Sequence, residues 1–208
     1  TPVTHGIIGG RALGDVAATV AARGRAVRTG CEQGGVLPVI KHLPGHGRAS
    51  VDSHLALPRV DAPRAELSAQ DFAPFAAHAD AVLGMTAHIV YEALDPDRCA
   101  TLSPDVIAVI RDEIGFDGLL MTDDLSMQAL SGPTGGRAAA ALDAGCDMIL
   151  HCNGDADEMA ALALAVPGLD GDAARRADRA LAARPAPAGT ALADDMRLYE
   201  TLSGETLT

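Results

Sequence analysis

Short apolar runs that end in polar or ionisable residues recur along the chain. They cover residues 6–8, 36–40, 81–85, 118–121 and 147–150. Strands that are covered on both faces show continuous apolar runs, whereas half-exposed strands alternate between apolar and polar positions. The pattern therefore predicts buried strands of a parallel sheet.

Segments with helix start and stop signals lie between these runs. One helix is expected to open at Asp15 and to stop at Gly30. Another begins at the N-cap Ser103, carries Pro104 in its first turn, and stops at Gly115. The alternation of strands and helices predicts parallel β/α units.

Two architectures are built from such units, a doubly wound sheet and a (β/α)₈ barrel. No G-x-G-x-x-G follows a strand, and Gly45 and Gly47 lie in a loop without that spacing. Nearly every apolar run ends in a residue able to do chemistry. Because the carboxyl ends of barrel strands converge on one site, this feature favours an α/β fold of the TIM-barrel type.

The length of 208 residues holds five to six units at roughly 30 residues each, whereas a usual barrel needs about 250 residues. We therefore expect an N-terminally truncated barrel over residues 1–184 that lacks its first strands. Residues 185–208 are expected to form a linker and a C-terminal tail with a short helix over 194–202.

Composition narrows the classes of partner. The balance of 16 basic and 28 acidic residues gives a net charge of −12, which argues against a nucleic-acid partner. No apolar run approaches the roughly 20 residues that span a bilayer, so no membrane segment is expected. The four cysteines show no disulfide-scaffold spacing and no export signal opens the chain, so a cytoplasmic location is expected.

The densest group of chemical side chains runs over residues 41–47 and continues to Asp52 and His54. A carboxylate two positions from a histidine can bind one ring nitrogen, which fixes the tautomer and raises the basicity of the ring. Such a pair would serve as a general acid and base. The alternative is that His54 only bridges a surface loop.

A second group follows the run at 118–121, where Asp123 and Asp124 are adjacent. Neighbouring residues of a strand point to opposite faces. One carboxylate is therefore expected to enter the mouth of the barrel while the other braces the loop or caps the next helix. A purely capping role for an Asp at this position remains open.

The segments 41–47 with 52–54, and 109–126, closely resemble two signatures of family 3 glycoside hydrolases. The Asp-Ser-His loop resembles the β-N-acetylglucosaminidase branch of that family, the bacterial cytoplasmic enzymes of cell-wall recycling. The resemblance extends from about residue 6 to residue 168. It implies that Asp123 is the catalytic nucleophile, and that His54 is the acid/base with Asp52 as its partner.

The same resemblance implies the groups that bind the sugar. Lys41 and His42 would hydrogen-bond hydroxyls of an N-acetylglucosamine ring, and Arg11 matches a sugar-binding arginine. Gly10 and Leu13 depart from the family pattern, which has an acid before that arginine and an aromatic residue two positions after it. The family's early-strand aspartate has no counterpart in this chain.

The implied activity is that of a retaining exo-β-N-acetylglucosaminidase, a β-N-acetylhexosaminidase that acts on peptidoglycan-derived muropeptides. It would work as a monomer without a cofactor or metal. Phosphate instead of water as the acceptor stays open. Two alternatives remain: an inactive truncated fragment, and a metal-dependent hydrolase on the same barrel with His42, His46, His54 and Asp123 as ligands.

Overall fold

The computed structural model describes residues 12–49, 51, 56–186 and 192–204. Its helices and strands follow one another in the order α1 (Ala17–Gln33), β1 (Val39–Leu43), β2 (Arg59–Val60), α2 (Arg64–Glu66), a π-helical turn (Leu67–Phe72), α3 (Ala73–Ala76), β3 (Leu83–Thr86), β4 (Val90–Tyr91), a 3₁₀ turn (Ala100–Leu102), α4 (Pro104–Ala108), a second π-helical turn (Val109–Glu113), β5 (Leu119–Asp124), α5 (Thr134–Ala144), β6 (Met148–Leu150), α6 (Ala156–Ala165), α7 (Gly171–Ala182) and α8 (Leu192–Ser203).

The main sheet has four parallel strands in the order β1-β3-β5-β6, and a small sheet pairs β2 with β4. Four of the five predicted runs form the strands of the main sheet, and the run at 6–8 lies outside the described residues. The prediction of buried strands holds for β3, whereas β6 has one exposed and two half-buried residues. Helices separate successive strands of the main sheet, as the alternation predicts. The fold is therefore α/β of the TIM-barrel type, and the described residues form an open part of such a barrel.

Helix α1 does not stop at Gly30 as predicted but continues to Gln33. A glycine inside a helix is destabilising by only about 1 kcal/mol relative to alanine, so neighbouring turns override it. The helix ends before Gly34 and Gly35, and Gly35 takes a φ of +82° that favours glycine. The predicted start at Ser103 is confirmed, since the Ser103 side chain accepts a hydrogen bond from the Val106 amide. Helix α4 itself ends at Ala108, and the π-helical turn continues to Glu113, shortly before the predicted stop at Gly115.

The core on one side of the sheet is closed by Phe116, which packs between two strands. A Cβ at Gly84 would lie 2.7 Å from both Leu43 Cδ1 and Phe116 Cζ. A Cβ at Gly118 would lie 2.3 Å from the same ring and 2.6 Å from the Ala81 carbonyl oxygen. The two glycines therefore let the Phe116 ring lie flush against the backbone, where it is fully buried.

Helix α7 is held by ion pairs at the amino ends of β5 and β6, the edge opposite the strand ends that carry the candidate chemistry. Asp117 accepts hydrogen bonds from three arginines of this helix, Arg175, Arg176 and Arg179. Hydrogen bonding to Arg175 is the largest of the effects that hold the pKa of Asp117 well below its usual value. The buried Asp147 accepts from Arg111, from Arg176 and from the Leu120 amide. These carboxylates fix the helix to the sheet.

The C-terminal tail contains α8, which covers the segment 194–202 where a short helix is predicted. Tyr199 and Leu202, placed on one side of that helix, are 44% and 78% exposed. The division into a barrel at 1–184 and a tail at 185–208 stays a prediction. Across the described ranges, we find no helix whose length and apolarity would let it span a bilayer.

Candidate active site

The carboxyl ends of the parallel strands meet at one edge of the sheet, and two predicted site residues come together there. His42 lies on β1 and Asp123 on β5, with β3 between them. Two strand spacings amount to about 9.6 Å, so only side chains that lean over the end of β3 can meet. His42 Nε2 lies 3.6 Å from Asp123 Oδ2. Both side chains are partly open to solvent, at 21% and 18% exposed.

His42 is electrically neutral at neutral pH although it faces a carboxylate. Burial lowers the pKa of His42 to about 4, while the Asp123 carboxylate acts in the opposite direction. The nearby His46 and Lys41 lower that pKa further. The contact between His42 and Asp123 is therefore not an ion pair at pH 7, and the imidazole remains available to donate or accept a hydrogen bond.

The two adjacent aspartates have different surroundings. Asp123 Oδ1 accepts from the Asp124 amide at 2.9 Å, and its Oδ2 faces His42. The Asp124 carboxylate accepts from the Ser126 amide and hydroxyl and from the Cys152 amide. Partial burial acts to raise the pKa of Asp124, but these hydrogen bonds outweigh it and hold the pKa below its usual value. Asp124 thus ties the β5 loop to the β6 loop, while Asp123 faces the space at the strand ends.

The loop after β1 is stabilised by contacts with Tyr91 and Asp71, which no sequence motif indicated. The peptide bonds between Lys41 and His42 and between Leu43 and Pro44 are both cis. The buried Tyr91 hydroxyl donates to the Gly45 carbonyl oxygen. The two residues are 46 positions apart, so no local sequence pattern predicts this contact.

A second support for the same loop comes from an ion pair. Arg48 Nε donates to Asp71 Oδ2 at 2.8 Å, and the Asp71 side chain is 5% exposed. Asp71 belongs to the π-helical turn, so this contact joins the loop to the helix beneath it. The His46 ring lies 5.2 Å from the His42 ring, between their centroids.

A buried polar chain lies behind Asp123 and Asp124. The His88 ring is fully buried, with Nδ1 2.8 Å from Thr101 Oγ1 and Nε2 3.0 Å from the Asp124 carbonyl oxygen. Thr101 Oγ1 in turn lies 2.8 Å from Thr86 Oγ1. His88 follows the apolar run at 81–85 in the sequence, but its partner on β5 is visible only in the fold.

The remaining predicted site residues divide into two sets. Lys41 is exposed on β1 beside His42. The other predicted residues, Arg11, Asp52 and His54, lie outside the described residues. Within the described residues, no group of three or more His, Cys, Asp or Glu side chains is arranged to hold a metal ion. The proposed metal set included His54, so that observation covers only part of it.

The comparisons with known proteins cover most of the chain. The family described as "Glycosyl hydrolase family 3 N terminal domain" matches residues 3–180. The chain belongs to glycosyl hydrolase family 3. The resemblance drawn from the two motif segments is thereby confirmed, and so is the barrel class.

Three relatives illustrate the match. A curated β-hexosaminidase of Idiomarina loihiensis is 35% identical over 178 residues, which are 84% of this chain and 54% of that protein. The structure of a family 3 β-N-acetylglucosaminidase from Paenibacillus has 35% identity and a TM-score of 0.75, over 87% of this chain and 37% of that one. NagZ from Neisseria gonorrhoeae, solved in complex with zinc ion, has 33% identity and a TM-score of 0.72, over 83% and 50% of the two chains. The chain spans about half the length of the curated relatives it matches.

Proposed function

We propose that this family 3 chain carries the catalytic groups of a retaining exo-β-N-acetylglucosaminidase. Asp123 is the nucleophile, and His54, braced by Asp52, is the general acid and base. The observation that carries the proposal is the placement of Asp123, which faces His42 at the strand ends while Asp124 is occupied by the loop.

The chemistry follows from the groups assigned to it. Asp123 attacks the anomeric carbon while His54 protonates the glycosidic oxygen, so the leaving group departs as an alcohol and a covalent glycosyl-enzyme forms. Water, deprotonated by His54, then displaces Asp123 and the sugar leaves with its configuration retained. The amide of Asp124 holds one carboxylate oxygen of Asp123, which leaves the other for the attack.

The sugar-binding groups are proposed on the same basis. A neutral His42 beside Asp123 can hydrogen-bond a sugar hydroxyl without adding a positive charge next to the nucleophile. Lys41 lies on the same strand and Arg11 is assigned from the family motif. The name β-hexosaminidase of the curated relatives supports an N-acetylhexosamine at this site.

We propose that the biological substrates are N-acetylglucosaminyl muropeptides from peptidoglycan. The enzyme would remove the N-acetylglucosamine at their non-reducing end. We further propose that the enzyme acts in the cytoplasm as a monomer. The Asp-Ser-His motif at 52–54 supports this assignment, because it resembles the bacterial enzymes of cell-wall recycling.

Labelling with a 2-deoxy-2-fluoro glycoside, in which fluorine replaces the 2-acetamido group, tests the nucleophile. The reagent slows the second step, so the covalent intermediate accumulates and mass spectrometry of peptides locates the ester. We expect the label on Asp123 in the wild-type chain and no turnover of an aryl β-N-acetylglucosaminide by Asp123→Ala. A label on Asp124 would overturn the choice between the two.

A comparison of leaving groups tests His54. In His54→Ala the rate is expected to fall strongly for substrates with poor leaving groups and less for activated aryl glycosides, which need little protonation. An equal loss for both kinds of substrate would assign His54 a role in loop shape only. Addition of phosphate in the same assay, with product analysis for sugar phosphate, decides between water and phosphate as the acceptor.

A metal-dependent hydrolase is the second candidate, favoured by the proximity of His42 to Asp123 and to His46 and by the zinc-bound structure of the Neisseria relative. Chelator treatment of the purified chain separates the two. A glycosidase of the proposed type keeps its rate after chelation, whereas loss of activity that zinc restores favours the metal enzyme. No turnover in any assay favours the view that this chain is inactive by itself.

A further inference from the structure

His88 is buried behind the candidate nucleophile and has no part in the proposed chemistry. It follows β3, and its ring has no exposed surface. Both ring nitrogens have partners, Thr101 Oγ1 at 2.8 Å and the Asp124 carbonyl oxygen at 3.0 Å. A buried imidazole that links two strand ends in this way fixes one relative to the other.

The direction of each hydrogen bond follows from the chemistry of the partners. A carbonyl oxygen only accepts, so His88 Nε2 carries a proton and donates to Asp124. Burial lowers the pKa of His88, so the ring is neutral and Nδ1 accepts. The Thr101 hydroxyl therefore donates to Nδ1, with the Ala87 carbonyl at 3.1 Å as its second and longer acceptor. Thr86 then donates to Thr101 Oγ1 at 2.8 Å.

Residue 124 connects this buried chain to the nucleophile. Its carbonyl oxygen accepts from His88, its carboxylate is held by Ser126 and Cys152, and its amide donates to Asp123 Oδ1 at 2.9 Å. The amide is the one protein donor recorded on the Asp123 carboxylate within the described residues. A shift of the Asp124 backbone would therefore rotate or release that carboxylate.

We propose that His88 is a positioning residue for Asp123, because its Nε2–H bond to the Asp124 carbonyl fixes the backbone whose amide orients the nucleophile. This inference rests on the proposed function for its kinetic consequence, and on geometry alone for its structural one. Misplacement of a reacting group by about 1 Å lowers the rate by about a hundredfold, so loss of this bond is expected to act on kcat and to leave KM nearly unchanged.

A matched pair of substitutions separates the two ring nitrogens. In His88→Gln the side-chain amide nitrogen reaches the position of Nε2 and can donate to Asp124. In His88→Asn the amide lies near the position of Nδ1, where it can meet Thr101 but not the Asp124 carbonyl. Both variants lose the ring and its packing, so both are expected to lower the melting temperature.

The control for burial is His78, which follows α3 and whose ring contacts α1. Its Nε2 lies 2.9 Å from the Ala21 carbonyl oxygen, and the residue is 6% exposed. His78→Asn therefore removes a buried contact of the same kind far from Asp123. It is expected to lower the melting temperature and to leave kcat and KM unchanged.

Kinetics with an aryl β-N-acetylglucosaminide, measured well below each melting temperature, give the first result. We expect His88→Asn to lower kcat by about tenfold to a hundredfold and His88→Gln to recover most of that loss, with KM similar in both. Equal kcat values for the two variants, or a loss expressed mainly in KM, would overturn the inference.

Amide hydrogen exchange gives the second result and does not depend on turnover. The Asp124 amide is expected to be protected in the wild-type chain and in His88→Gln, and to exchange faster in His88→Asn. Equal exchange in both variants would overturn the positioning role. If the three proteins show this exchange pattern while the wild-type chain does not hydrolyse the substrate, that result would contradict the proposed function and support the positioning role.

Discussion

His42 Nε2 and Asp123 Oδ2 lie 3.6 Å apart across the end of β3, although they belong to different β/α units. The imidazole is neutral at neutral pH because burial lowers its pKa to about 4. The site therefore places an uncharged imidazole beside one carboxylate. This arrangement has consequences for stability as well as for chemistry.

The pH dependence of folding should reveal the neutral His42. An unfolded histidine has a pKa near 6.5, so as the pH falls the unfolded chain takes up the proton first. The contribution of neutral His42 to the free energy of unfolding is fully present above about pH 6.5. It is lost progressively as the pH falls toward about 4. That loss amounts to at most about 3 kcal/mol.

Urea unfolding of the wild-type chain and of His42→Gln between pH 7 and pH 4 measures the effect. The glutamine variant does not titrate, so its free energy of unfolding should fall less over this range. Parallel curves for the two proteins would show that His42 has an ordinary pKa in the folded state.

Asp124 is expected to matter for stability more than its neighbour does. Asp124→Ala leaves the Ser126 and Cys152 donors without their acceptor and should lower the free energy of unfolding by about 2 kcal/mol. Asp123→Ala removes the acceptor of a single amide and should change stability less. Chemical denaturation of both variants tests this order, and a larger loss for Asp123→Ala would contradict the bracing role.

Asp147 is expected to be the most sensitive contact at the amino ends of the strands. Its side chain is 4% exposed and accepts from Arg111 and Arg176. Asp147→Asn leaves buried positive charge without its partner and should lower the free energy of unfolding by about 3 kcal/mol. Asp172→Asn is the control, since that exposed carboxylate should contribute less than about 0.5 kcal/mol. If urea unfolding shows that both variants lose a similar free energy of unfolding, burial does not make Asp147 more important than the exposed Asp172.

Gly84 is expected to tolerate no side chain. Gly84→Ala would force Leu43 and the Phe116 ring to move and should lower the free energy of unfolding by about 1 to 3 kcal/mol. Gly30→Ala is the control, because Gly30 lies inside α1 with no atom within 4 Å of the added Cβ. That change should stabilise the chain by about 1 kcal/mol. We expect calorimetry to show a lower melting temperature for Gly84→Ala and a higher one for Gly30→Ala. An unchanged melting temperature for Gly84→Ala would contradict the packing argument.

The strands of the main sheet, their parallel class and the family were predictable from the sequence. Apolar runs of four or five residues favour parallel strands, and four runs became adjacent parallel strands. Their burial was less uniform than predicted, because β3 is mostly buried while β6 has no buried residue. The predicted end of α1 was wrong, because the helix continues through Gly30 at a small energetic disadvantage. The two motif segments were specific because each combines several residue types at fixed spacing.

Which side chains meet depends on how the strands are arranged in three dimensions. Adjacent aspartates carry the same local signal. Asp124 accepts hydrogen bonds from Ser126 and from the Cys152 amide of the β6 loop, whereas Asp123 faces His42. The contacts of Tyr91 with Gly45 and of His88 with Asp124 likewise join residues from different β/α units. Local patterns depend on periodicity within one element, whereas these contacts depend on the order and curvature of strands, which no short segment of sequence encodes.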